Sequence, residues 1–285
     1  MNSYLRPESE EELAGHLKSG AGRTRIIGGG TGIYELATRG LLSEVDTLVD
    51  ITGVGLAYVR RDKRSLKIGA ATTMSVLLEA EPLRIPACGA ILDALVAIQP
   101  LQVKNVATVG GAICTALPFF DLPTALMATE AVVSIGPATR AEKLQDFVQG
   151  YLATNLASHE YVRGVEIPLD RPGRSSAFQK FALTSDDWAM INCGVSATLD
   201  GHRRIRDPVV VFGGGVGGKP VRAHGVEKSL EGVEAEDRKV AEVFGKKLAG
   251  DVGTSADMRS SAEYRLELAK VLGRRTTLAA CKRAG

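Results

Sequence analysis

Two runs of glycine, about eighty residues apart, are the part of this chain best suited to chemistry. The first reads Ile26-Ile27-Gly28-Gly29-Gly30-Thr31-Gly32-Ile33 and the second Asn105-Val106-Ala107-Thr108-Val109-Gly110-Gly111-Ala112. Glycine lets a backbone approach a ligand with no Cβ in the way, and lets successive N–H groups converge on an anion. In the second run a threonine hydroxyl stands beside amides that the glycines expose, which suits phosphate and ribityl oxygens. Either run alone marks a turn as readily as a binding site. Two in one chain point to a dinucleotide whose pyrophosphate is held from both sides. Two charged residues stand nearby in the pattern. Asp121, in Pro118-Phe119-Phe120-Asp121-Leu122-Pro123, has the simple reading of a helix N-terminal acid. Lys180, in Phe178-Gln179-Lys180-Phe181, shares a strand face with Phe178. It is therefore a surface lysine running along apolar surface, or one aimed at an anion.

Other motifs carry less. Gly213-Gly214-Gly215-Val216-Gly217-Gly218 matches G-x-G-x-x-G after an apolar run, but Lys219-Pro220 follows at once and no long amphipathic helix opens there. Pro220 also stands where a P-loop needs a hydroxyl for magnesium, so the run reads as a strand-ending turn. His16, His159, His202 and His224 form no H-x-x-x-H pair, and no G-x-S-x-G elbow is present. No residue is assigned to catalysis or to a metal. The C-terminal segment carries Arg259, Arg265, Lys270, Arg274, Arg275, Lys282 and Arg283, either a solvated basic face on a packed helix or a docking surface.

The elements that would position the two runs are short and mixed. Ser9-Glu10-Glu11-Glu12 is a capping box, so a helix begins there and stops at Gly20-Ala21-Gly22. Strands are expected over residues 24–27, 47–51, 56–60 and 65–69, and helices over 73–79 and 87–98. A helix over 122–128 and strands over 131–135 and 161–167 follow, leading into Pro168-Leu169-Asp170-Arg171-Pro172-Gly173. That segment is the best domain boundary. Beyond it come strands over 177–183, 191–199 and 205–212, then helices near 236–248 and 259–281. Without βαβ alternation the fold class is α+β.

At 285 residues the chain can bury a large core in two or three lobes. A net charge of +2 argues for neither nucleic acid nor an anionic membrane. No apolar stretch reaches the length of a membrane span and no secretory signal opens the chain, so a soluble, cytoplasmic protein is expected. Cys88, Cys114, Cys193 and Cys281 lie far apart, against a disulfide framework or a cysteine-held metal.

Taken together the segments resemble the FAD-binding subunit or domain of the molybdenum hydroxylases, the group of xanthine dehydrogenase and aerobic carbon monoxide dehydrogenase. The first run is similar to that family's A-G-G-T-D-L. Residues 104–112 and 118–123 are similar to its R-N-x-A-T-I-G-G-N and P-x-x-D-x-x-P. Ile68-Gly69-Ala70-Ala71-Thr72-Thr73 resembles I-G-A-x-T-T, Ser261-Ala262-Glu263-Tyr264-Arg265 resembles S-A-x-Y-R, and Asp187-Trp188-Ala189 is similar to carbon monoxide dehydrogenase-type members.

The resemblance implies a two-subdomain FAD-binding fold of the vanillyl-alcohol oxidase/PCMH type over residues 1–172, divided near residue 60. A smaller sheet-plus-helix domain over 173–285 would follow. It places FAD contacts on Ile26, Ile27, Gly28, Gly29, Gly30, Thr31, Gly32, Ile33, Thr108, Val109, Gly110, Gly111, Ala112, Asp121, Val162 and Lys180, with Ile98 near the flavin ring. Gly32 and Ala112 depart from the family, where an acid or amide and an asparagine are usual. Each loses a hydrogen bond of about 0.5–1.5 kcal/mol, too little to abolish binding. The implied role is the medium, electron-transfer subunit of an oxidoreductase. Its partners would be an iron–sulfur [2Fe–2S] small subunit and a molybdopterin large subunit, assembled as a dimer of heterotrimers. Electrons would leave for NAD, a quinone or oxygen, and the sequence does not choose among them. The alternatives are a self-sufficient flavin oxidoreductase of the vanillyl-alcohol oxidase type and a flavin-free scaffold.

Overall fold

A small parallel sheet opens the chain. In this computed structural model, which describes residues 3–20 and 22–285, β1 (Ser3–Leu5) and β2 (Thr24–Ile27) flank β3 (Thr47–Asp50), both parallel to it. Ala21, part of the expected helix stop, lies outside the described residues. Helix α1 (Glu10–Ser19) begins where the capping box places it, with Ser9 Oγ accepting from the Glu12 N–H at 3.1 Å. The reciprocal arm differs: the Glu12 carboxylate reaches the N–H of Glu8, one residue before the cap. Leu13 and Leu17 seal the lobe against Val49 and Ile51. Helix α2 (Thr31–Thr38), not expected from the sequence, follows the first glycine run; it has no fully buried residue, and its Ile33 and Leu36 pack on Leu42, Val45 and Leu48. The turn into it is made by Gly30, at φ +77°, a conformation side chains disfavour.

The second lobe is built on a five-stranded antiparallel sheet, in the order β4 (Val59–Arg61), β5 (Ser65–Gly69), β10 (Tyr161–Pro168), β6 (Val132–Gly136), β7 (Arg140–Lys143). Strand β4 starts later than the sequence suggests. Between β5 and β6 (Val132–Gly136) run five helices: α3 (Met74–Glu79), α4 (Gly89–Ala97), α5 (Leu101–Val106), α6 (Val109–Cys114) and α7 (Asp121–Ala128). After β7 (Arg140–Lys143) come α8 (Leu144–Phe147) and a small hairpin, β8 (Val148–Gly150) and β9 (Ala153–Thr154). Then β10 (Tyr161–Pro168) returns through the middle of the sheet, irregular between Val162 and Gly164. Leu66, Ile68, Ile91, Leu95, Ile113 and Leu126 are fully or almost fully buried between helices and sheet, the main apolar driving force of this lobe.

The last lobe is an antiparallel sheet of β11 (Ser175–Phe181), β12 (Ile191–Leu199), β13 (Ile205–Gly214) and β14 (Val221–Arg222). Helices α9 (His224–Leu230), α10 (Asp237–Asp251) and α11 (Ala262–Ala284) cover one face. Helices α4 and α7 of the preceding lobe cover the other, which is why the first seven residues of β12 are buried, the polar Asn192 and Ser196 among them. The α+β class expected from the sequence is the one observed. Among the described residues no helix is long and apolar enough to cross a membrane.

Candidate functional site

The two glycine runs pack against each other. A Cβ on Gly28 would stand 2.7 Å from Thr108 Oγ1, and one on Gly29 would strike the Val106 carbonyl. The runs divide the work unequally. In the second run the N–H groups of Val109 and Gly110 donate to Thr72 O (3.0 Å) and Ala70 O (2.9 Å), and that of Gly111 donates to Thr108 Oγ1 (3.1 Å). These amides are spent inside the protein, which corrects the expectation that the second run exposes them. The run is the first turn of α6, capped by Thr108, whose hydroxyl can still donate outward. Among the described residues the N–H groups of residues 29–32 donate to no protein acceptor. They lie at and just before the N-terminus of α2, where backbone donors and the helix dipole favour an anion.

Two cavities meet here. The larger, about 560 Å³, is lined by Ile26, residues 28–33, Thr108, Gly110, Gly111, Cys114 and Val162. The smaller, about 270 Å³, is lined by Ile98, Ala112, Phe119, Asp121, Lys180 and Trp188. Thr31, Gly32, Gly111 and Thr115 belong to both, so the pair forms one elongated groove between the lobes. Of the residues the sequence singled out, Ile27 and Val109 line neither cavity. Ile27 packs on the cluster of Leu42, Val45 and Leu48, and Val109 is fully buried in the second lobe.

At the far end of the smaller cavity Asp121 and Lys180 form a buried ion pair, Nζ to Oδ2 3.2 Å. Lys180 also donates to Ala97 O (2.9 Å) and Asp187 O (3.3 Å). It is not a surface lysine: it has a definite partner, and the face it shares with Phe178 looks onto α4 and α7. Asp121 is the first residue of α7 but is far from a solvated cap. Burial pushes its carboxyl above the ordinary range, while Lys180 and the side-chain amide of Asn192 pull it back.

Comparison with known proteins gives this geometry its context. The family described as FAD binding domain in molybdopterin dehydrogenase matches residues 1–170, and the CO dehydrogenase flavoprotein C-terminal domain matches residues 176–280. This chain belongs to that family. It is similar to the glyceraldehyde dehydrogenase medium chain of Sulfolobus acidocaldarius, 31% identical over 95% of both chains. The carbon monoxide dehydrogenase medium chain of Afipia carboxidovorans is 26% identical over 99% of this chain and 97% of that one. Among solved structures, quinoline 2-oxidoreductase from Pseudomonas putida 86 superposes with a TM-score of 0.89 at 25% identity, covering 100% of this chain and 98% of the other. The chain is thus an oxidoreductase chain with an FAD-binding domain.

Within this FAD-binding domain, several groove residues carry no motif of their own. Thr115 Oγ1 lies 2.5 Å from where a Cβ on Gly32 would start, and it donates to Gly111 O at 2.6 Å. Its hydroxyl therefore occupies the space that a side chain at position 32 would need. No sequence signal marks it, since any helical threonine can donate to the carbonyl four residues back. Phe119 and Trp188 stack with ring centroids 4.4 Å apart and planes 20° apart, and they wall the smaller cavity. Arg39 reaches over Trp188 and donates to Tyr151, so all three lobes meet at this rim. Cys114 is exposed and faces the larger cavity, apart from the three other cysteines, which are buried.

The remaining motifs are structural. Residues 213–218 line neither cavity: Gly214 and Gly215 donate to Pro118 O and Met190 O, and the chain turns away. Arg265, of the S-A-x-Y-R segment, is buried beneath Gly215, where it pairs with Asp257 and donates to Ser255 O. On the basic C-terminal helix, Arg283 grips both carboxylate oxygens of Asp93 at 2.7 Å, clamping α11 to α4. Among the described residues no group of three or more potential ligands is placed to hold a metal.

Proposed function

We propose that this chain binds one FAD noncovalently along the joined cavities and serves as the electron-transfer subunit of a molybdenum hydroxylase-type complex. The observation that carries the reading is the set of unpaired amides at residues 29–32, opening onto a groove that ends at Asp121 and Lys180. The fit is physical: the anion-binding part is made of free N–H groups beside a helix N-terminus, and the other part is lined by stacked aromatic rings and a compensated ion pair. The amides of residues 29–32 and the hydroxyls of Thr31 and Thr108 would hold the pyrophosphate. Ile26, Ile33 and Val162 would wall the adenosine side, and Ile98, Ala112, Asp121 and Lys180 the ring side. FAD supplies the ability to take electrons singly and release them as a pair.

The chain's own residues bind, orient and charge-balance that group. Substrate oxidation belongs to a molybdopterin large subunit and the incoming electrons to an iron–sulfur small subunit, in a dimer of heterotrimers. The names of the medium-chain relatives support a multi-subunit setting. The FAD-binding part spans residues 1–172, in two subdomains meeting near residue 60, and the C-terminal domain spans 173–285. The separate sheets and the break between the two family matches, at residues 170 and 176, support that division. Gentle purification from the native cell tests the assignment. Recovery with two further subunits that carry iron–sulfur and molybdopterin absorbance is expected. A chain isolated alone that oxidises a substrate at full rate would contradict it.

A further inference from the structure

Asn192 is fully buried on β12 and lines neither cavity, yet it reaches the groove's ion pair from behind. Its Nδ2 donates to Asp121 Oδ1 at 2.9 Å, across the seam between the C-terminal sheet and α7. The other oxygen of the same carboxylate faces Lys180. Lys180 and Asn192 are direct cross-strand partners in the register of β11 and β12, so adjacent strands present the ammonium and the amide to one carboxylate on one face. The amide has only one workable orientation. Turned over, it would set Oδ1 against the ionised carboxylate. As it stands, Oδ1 has no donor and lies with Thr124 Oγ1 against the bare Cα of Gly213. A buried carbonyl without a donor costs free energy, so this orientation is held by the grip on Asp121 and by a second, longer donation from Nδ2 to Phe120 O at 3.4 Å.

We infer that Asn192 is a positioning residue for flavin charge balance: it keeps Asp121 ionised and aimed at Lys180, so that a bound flavin ring meets a compensated pair instead of a bare ammonium. This rests on the reading that the ring lies in the smaller cavity. A buried carboxylate survives as an anion only if donors satisfy it, and Asn192 supplies one that neither bulk water nor the ligand can replace. Without that donor Asp121 takes up a proton more readily. Lys180, still fixed by Ala97 O and Asp187 O, would then act on the ring with its full charge and favour the reduced, anionic form.

The test is the flavin midpoint potential of the intact complex, measured against pH in Asn192→Leu, Asn192→Asp and Asp121→Asn and read as the difference from wild type. Asn192→Leu should raise the potential as pH falls, towards the value of Asp121→Asn, while at high pH it rejoins wild type. Asn192→Asp keeps a donor while its new carboxyl is protonated. It should match wild type at low pH and fall below it as pH rises, the opposite sign at the opposite end. The expected change at each end is about tenfold in the ratio of reduced to oxidised flavin at fixed poise, about 30 mV for a two-electron couple. The double variant Asp121→Asn, Asn192→Leu should add nothing to Asp121→Asn. Because Asn192→Asp is isosteric, it carries the test even if Asn192→Leu does not fold. Variant curves that run parallel to wild type throughout would overturn the positioning role alone. A wild-type complex without FAD would instead overturn the cofactor reading beneath it.

Discussion

Thr108 closes on Gly28: its hydroxyl oxygen stands 2.7 Å from the position a Cβ on that glycine would take. The two runs most suggestive of a ligand are therefore first of all a contact with each other. Their glycines serve different purposes, and substitution can separate them.

Gly110 and Gly111 are adjacent but differ in surroundings. A Cβ on Gly110 would meet the Ala70 Cβ at 2.8 Å and its carbonyl oxygen at 3.0 Å, whereas one on Gly111 meets only Thr108 Oγ1 at 3.0 Å. Gly110→Val should destabilise the fold by about 1–3 kcal/mol or more through overpacking. Gly111→Val should intrude on the groove, reducing FAD content with a smaller loss of stability. Thermal unfolding and flavin content of both variants check this; equal unfolding losses with full flavin in each would refute the distinction.

Lys180→Met should be costly. Removing one partner of a buried pair typically costs about 3–5 kcal/mol, because the other charge is left uncompensated. Asp121 can escape that cost by taking a proton, and its carboxyl already sits above the ordinary range. A raised carboxyl binds more protons folded than unfolded, so its stabilising contribution falls as pH rises. The destabilisation of Lys180→Met should therefore grow from pH 5 to pH 8. Unfolding curves at the two pH values that differ from wild type equally would show that Asp121 does not respond.

Glu160, at the wall of the larger cavity, behaves in the opposite way. Hydrogen bonds from Arg140 hold its carboxyl down to about 2, from an ordinary value of 4.5. A depressed carboxyl stabilises the fold above its unfolded value and loses that contribution as pH falls through the folded one. Arg140→Leu should thus be less stable than wild type above pH 5, and the two should converge towards pH 2. Parallel acid-unfolding curves would remove this pair from the account.

Gly215→Ala probes the run that most resembles a dinucleotide fingerprint. Its Cβ would press on the buried Arg265 guanidinium, so the variant should unfold at lower temperature while its folded fraction keeps FAD. Flavin loss from a fully folded Gly215→Ala chain would make residues 213–218 a nucleotide loop after all.

Much of this was legible in the sequence, and the exceptions have physical causes. Strand β5 and strand β12 fell where alternation and apolar runs placed them, because each is held in register by neighbours on both sides. Helix α2 was not read from the sequence: it is eight residues long, starts directly after a left-handed glycine, and lays only a short stripe, Ile33 and Leu36, on its neighbours. The joining of Asp121 to Lys180 was equally invisible: fifty-nine positions separate them, and only the packing of α7 on the C-terminal sheet brings them together. That the second run's amides were already occupied by Ala70 and Thr72 is likewise a tertiary fact. A glycine pair in sequence does not say which side of it is open.

The central claim is that free amides at residues 29–32 hold a noncovalent FAD, and acid precipitation of the purified complex tests it most directly. One FAD per chain should appear in the supernatant, with none left on the polypeptide. In Gly32→Pro, which removes an amide donor and also sets a Cβ against Thr115 Oγ1, the recovered FAD should fall below that of Gly32→Ala, which makes only the second change. Flavin that stays on the precipitated chain, or a colourless complex with full activity, would contradict the account.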